Sequence, residues 1–195
     1  MDKYVFHISI ALCLILFFYL RKSAGSNKNE NLRKLAFAKA INDYETTSHY
    51  LIKKSFSSKD AAKMNGGSKI IDDQGLRLCK DKLNDSSVIS NPKLHFYILM
   101  KISKFLIIQY HFNKAIHYLE EAVKIESENV VALLFLAEAS EYSGNKEKAV
   151  KAYNSIIKIG ENAVGVKDFV DIQLARIEKQ GLKKPMQLGL KYMSY

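Results

Sequence analysis

The strongest constraint on this chain is that part of it repeats. Residues 96–129, FYILMKISKFLIIQYHFNKAIHYLEEAVKIESEN, align without a gap on the segment that follows directly, 130–163, VVALLFLAEASEYSGNKEKAVKAYNSIIKIGENA. Phe96 thus falls on Val130 and Asn129 on Ala163. Leu99 pairs with Leu133, Ile102 with Leu136, Tyr110 with Gly144, Ala115 with Ala149, Ile116 with Val150, Leu119 with Tyr153, Ala122 with Ile156 and Ile125 with Ile159. In each copy, apolar residues recur every three or four positions on both sides of a polar break, at 109–113 and again at 143–147. That spacing is the mark of two helices joined by a turn. A hairpin of this size cannot bury its apolar face alone, so copies stack on one another. The sequence therefore predicts an all-α fold with a short α-solenoid of helical hairpins at its centre.

The pattern resembles the tetratricopeptide repeat family, which sets a bulky residue, Leu and Gly/Ala in the first helix, and Ala, an aromatic and Ala in the second. In the second copy Leu133, Leu136, Ala137, Gly144, Ala149 and Tyr153 match, while Ile156 takes the place of the second small residue and Glu161 that of the closing proline. In the first copy Leu99, Ile102, Ser103, Ala115, Leu119 and Ala122 match, and Tyr110 replaces the turn glycine. The resemblance implies helix pairs that approach closely at the small residues, and a concave groove lined by the first helices. Its lining would be Tyr97, Met100, Lys101, Lys104, Ile107 and Ile108, then Val131, Leu134, Phe135, Glu138, Glu141 and Tyr142. Such a surface suits a protein partner presenting an amphipathic helix or an extended apolar segment. The carboxylate clamp of the family's chaperone-tail receptors is not reproduced, because Met100, Lys104 and Phe135 stand at its positions. The protein's own helix is the other candidate occupant.

Val166, Phe169, Val170, Leu174 and Ile177 continue the helical spacing and are expected to form a cap over the last repeat. Two repeats fall short of the three or so that stand alone. The helix expected at 30–56, or a partner, must supply the missing cover.

Ahead of the repeats, residues 4–20 read YVFHISIALCLILFFYL, seventeen residues without a formal charge, followed at once by Arg21 and Lys22. As a helix this run spans about 26 Å, enough for a thin hydrocarbon core. It is expected to be an uncleaved transmembrane anchor within residues 1–22. A cleaved signal peptide and a buried core helix are the alternatives. Arg21, Lys22, Lys28, Arg33 and Lys34 follow the run, whereas Lys3 alone precedes it. The positive-inside rule then leaves the C-terminal body in the cytosol or the mitochondrial matrix. A body facing the periplasm is the bacterial alternative. Residues 23–57 form the expected basic juxtamembrane helix, with Leu32, Leu35, Ala38, Ile41, Tyr44 and Leu51 or Ile52 as its apolar stripe. Residues 58–92 are expected to be a loop-rich connector with a modest helix at 70–83, residues 93–180 the repeats and cap, and residues 181–195 a basic tail.

The charge follows this plan. Of a net +10, residues 21–60 hold nine basic and four acidic side chains, and residues 181–195 three lysines and no acid; residues 91–162 come to +1. A nucleic-acid-binding body would carry a basic stripe across the fold, so the distribution argues for a membrane and against nucleic acid. Chemistry is also missing from the pattern. The five histidines make no HExxH, and Gly66-Gly67-Ser68-Lys69 lacks the frame that wraps a phosphate. The adjacent pairs Glu120-Glu121 and Asp72-Asp73 diverge on a helix. Cys13 and Cys79 form neither a disulfide framework nor a metal motif. The expectation is a non-catalytic membrane-anchored adaptor without cofactor, metal or small-molecule substrate. A constitutive small subunit of a membrane complex, or a secreted or periplasmic repeat protein, are the alternatives.

Overall fold

A computed structural model describes residues 28–65, 73–160 and 166–183. Among these residues the protein is all-α, with nine helices and no strand: α1 (Lys28–Ser55), α2 (Ser58–Asn65), α3 (Asp73–Leu83), α4 (Ser86–Ile89), α5 (Pro92–Ile108), α6 (Phe112–Ile125), α7 (Val130–Tyr142), α8 (Lys146–Lys158) and α9 (Lys167–Gln180). No helix among them is long and apolar enough to cross a membrane. The span expected at 4–20, its flank to residue 27, the start of the helix expected at 70–83, Glu161 and the tail from residue 184 lie outside the described residues.

Local sequence sets where the central helices begin. Asn91, Asn129 and Asn145 each sit before a first turn, and their side-chain oxygens accept the backbone N–H three residues on, at 3.1, 3.1 and 3.0 Å. These caps satisfy donors that a helix start leaves open. Pro92 at the first position of α5 loses nothing there, because its missing N–H would have had no partner in the helix.

The helices pair as the repeat requires. Three-residue links join α5 to α6 and α7 to α8, which turns each pair into an antiparallel hairpin, and α6 packs on α7 to stack one hairpin on the next. The links match in detail. His111 N donates to Leu106 O at 2.8 Å, and Asn145 N to Ser140 O at 2.8 Å. Tyr110 N donates to Ile107 O and Gly144 N to Glu141 O, both at 3.0 Å. Tyr110 and Gly144, one period apart, both hold positive φ, at 60° and 83°.

Burial separates inner helices from outer ones. In α5 and α7 buried residues run through whole turns, Phe96 to Ser103 and Val131 to Ala137, because both helices are covered on several sides. In α6 and α8 only one stripe is buried: Ala115, Ile116, Leu119 and Ala122, and Ala149, Ala152, Tyr153 and Ile156. The packing residues expected from the repeat, Leu99, Ile102, Ala115, Leu119, Ala122, Leu133, Leu136, Ala137, Ala149 and Tyr153, are all buried, and Gly144 lies in its exposed turn.

The connector differs from the loop-rich reading. Ser58–Asn65 folds as α2, started by Ser57 Oγ accepting from Asp60 N at 3.1 Å, and buries Ala61 and Met64. Later in the same connector lies α4, capped by Asp85 and holding Val88 in the core. Both helices are too short to show a period, and tertiary cover holds them. Gly75 explains how α3 fits: a Cβ there would lie 2.6 Å from Lys63 O and 2.7 Å from Phe105 Cζ. Only glycine lets α3 enter the space between α2 and α5.

Candidate interaction surface

The face that the repeat assigns to a groove is not open. α1 packs against both α5 and α7, and its stripe of Tyr44, Ser48 and Ile52, spaced four residues apart, is buried. The Tyr44 and Tyr97 rings lie 5.4 Å apart. Beside them Glu45 receives Lys104 Nζ at 2.6 Å and Lys101 Nζ at 3.6 Å. Burial alone would raise the Glu45 carboxyl, but Lys104 and Lys101 outweigh it and hold the group below its ordinary value. Burial also pulls the Lys101 ammonium below the usual lysine range, against the pull of Glu45. A lysine this deep is tolerated because a carboxylate meets it.

The other end of the same face closes on the C-terminal segment. Glu141 has 0% exposure, accepts Tyr153 Oη–H at 2.8 Å and binds the Arg176 guanidinium of α9. Lys183 completes the set, with its backbone N–H 3.3 Å from Glu141 and its ammonium 3.6 Å from Glu138. Burial raises the Glu138 carboxyl, and Lys183 partly offsets this. Arg176 NH1 also donates to Gly181 O at 3.1 Å, which ties down the turn that returns the chain to α7.

The expected groove residues therefore divide into four sets. Tyr97, Lys101 and Lys104 meet α1, whereas Glu138 and Tyr142 meet Lys183. Met100, Val131, Leu134 and Phe135 are buried in the core. Ile107 and Ile108 are half-buried. Of the two occupants the sequence left open, the protein's own α1 and C-terminal segment lie on this face. The reason is electrostatic as much as apolar: each charged residue on the face meets an opposite charge from the same chain. Sequence reasoning missed Glu45, Arg176 and Lys183 as partners. Arg176 had a signal in the sequence, since it stands one period plus one residue beyond Glu141.

What remains outward is mostly polar. Tyr50, Ile89, Tyr110 and Ile172 are the exposed large apolar residues among those described, and belong to four different elements. Tyr110, Phe112 and Tyr142 form one run of rings along the turn edge, with centroids 6.0 and 5.1 Å apart, and Lys183 Nζ lies 5.8 Å from the Tyr142 ring. Burial pushes the Cys79 thiol up to about 12, which suits a core residue. Among the described residues no three of His, Cys, Asp and Glu come together as a metal set. No family model, curated protein or solved structure matches this chain.

Proposed function

We propose that the chain is a non-catalytic interaction protein tethered to a membrane. In this reading residues 4–20 are the anchor, and tetratricopeptide-type hairpins form a rigid body whose inner face is occupied by the protein's own α1. The recurrence of the hairpin turn one period on, hydrogen bond for hydrogen bond, carries the reading. Stacked hairpins of this kind present extended surface to partners, because each contacts only its neighbours and leaves an edge and an outer face free. A partner protein meets the outer helices α6 and α8 and the turn edge at Tyr110. A partner helix reaches Tyr97, Lys101 and Lys104 only by taking the place of α1.

The filled inner face favours a second reading, a constitutive small subunit of a membrane complex held through its outer surfaces. Alkaline carbonate extraction of membranes tests the tether. The full chain should stay in the membrane pellet and a chain lacking residues 1–22 should leave it; release of the full chain would overturn the anchor. The truncated chain separates the two readings, since a soluble monomer supports the adaptor and an aggregate supports the subunit. Protease added to the cytosolic side of sealed vesicles should digest the body, and a protected body would overturn the orientation.

A further inference from the structure

We infer that the outward face of the α1–α2 corner is a docking surface for an anionic bilayer, with Lys53, Lys54, Lys59 and Lys63 on the headgroups and Tyr50 at the interface; this rests on the membrane tether proposed above. All four lysines are exposed, and none meets a carboxylate among the described residues. Lys82, Lys101, Lys104, Lys124, Lys148, Arg176 and Lys183 each have an acidic partner. The exposed lysines of α8, Lys146, Lys151 and Lys158, are strung along the whole helix beside the exposed Glu147. At the α1–α2 corner, by contrast, four unpaired lysines gather on two helices that touch.

The two helices present this charge together. The inward stripe of α1 is Tyr44, Ser48 and Ile52, so Lys39, Thr46, Tyr50, Lys53 and Lys54 point away from the body, with Asp43 the acid among them. Asn65 Nδ2 donates to His49 O at 3.4 Å, which lays α2 back along α1. On α2 the buried residues are Ala61 and Met64, so Lys59 and Lys63, one turn apart, face outward beside Lys53 and Lys54. Asp60 is half-buried at the same corner and offsets only one of the four charges. Tyr50 is 60% exposed, more than any other large apolar side chain described, and sits one turn before Lys53 and Lys54. An amphipathic ring beside unpaired lysines is the composition that settles at a membrane–water interface.

The tether selects a bilayer over an acidic protein as the source of negative charge. α1 begins eight residues after the expected span and is about 42 Å long, so laid along the surface it brings its far end onto the headgroups. Headgroups are then present at high effective concentration, whereas an acidic protein must arrive by diffusion. The body would lie flat, with α1 between the bilayer and the inner face of α5 and α7.

Amine footprinting of the full chain in lipid nanodiscs tests this. Discs of neutral phosphatidylcholine are compared with discs holding about one-third phosphatidylserine, using a membrane-impermeant amine reagent read by mass spectrometry. In the anionic discs labelling of Lys53, Lys54, Lys59 and Lys63 should fall roughly threefold at low salt and recover at high salt. Labelling of Lys146 and Lys158, exposed on α8, should not change. Equal labelling of the four lysines in both discs overturns the docking surface, as does equal protection in both. Protection by added polyglutamate but not by anionic lipid reassigns the face to an acidic protein and overturns it too. A chain that does not enter either disc overturns the tether itself, and with it this inference.

Discussion

Tyr110 and Gly144 occupy the same backbone station one period apart, yet only the glycine suits it. A left-handed residue with a Cβ costs about 1–2 kcal/mol, and half-exposed Tyr110 recovers little of that from its edge contact with Phe112. Tyr110→Gly is therefore expected to stabilise the protein by about 0.5–1 kcal/mol after glycine's larger unfolded-state entropy is deducted. A urea midpoint that falls would show that the ring does more than the backbone loses. Ala149 makes the complementary case. It is fully buried between α7 and α8, so Ala149→Leu should overpack the pair and cost about 1–3 kcal/mol. Lys151, exposed on the outer side of α8, should tolerate alanine with almost no change. Equal losses in the two variants would mean that the helix pair is not held at Ala149. Both positions were legible in the sequence, because a repeat places each residue by comparison with its counterpart.

Elements show where that legibility stopped. The four repeat helices follow from their own apolar spacing, but the fit of α3 depends on Gly75, which by propensity alone should improve as alanine by about 1 kcal/mol. The close approach of Lys63 O and Phe105 reverses the sign. Gly75→Ala is expected to lower the melting temperature, corresponding to a net loss of about 1–3 kcal/mol; a rise would mean that α3 moves away at little cost. The contact between α1 and the repeats should depend on pH. Because Lys104 and Lys101 depress the Glu45 carboxyl, its stabilising contribution is complete above the unfolded value of about 4.3 and is lost as pH falls through the lower folded value. The stability difference between the protein and its Glu45→Gln variant should thus be constant near neutrality and vanish in stronger acid. A difference that grows on acidification would contradict the pairing. No sequence period marks Glu45, since its partners Lys101 and Lys104 stand far along the chain, on α5 with three helices between.

At the scale of the molecule, two hairpins are extended on both sides by helices that do not repeat. α1 and α3 cover the first hairpin, and α9 with Lys183 covers the second. Native-state hydrogen exchange should follow that order, with α5 and α7 slowest because they are buried on several sides. α1 should exchange faster, because only one stripe, Tyr44, Ser48 and Ile52, holds it. Exchange in α1 as slow as in α5 would show that the inner face cannot open without global unfolding. The sequence by itself determined the helical class, the period of the repeat, the residues that pack each hairpin and the segregation of charge toward residues 21–60. Those are properties of local spacing and composition, which every turn of helix reads independently. Only the tertiary structure decided that the inner face is filled, that Glu45 and Glu141 neutralise it and that four lysines remain outward at one corner. Ion pairing depends on which helices meet after distant segments are brought together, and spacing along the chain does not encode that distance.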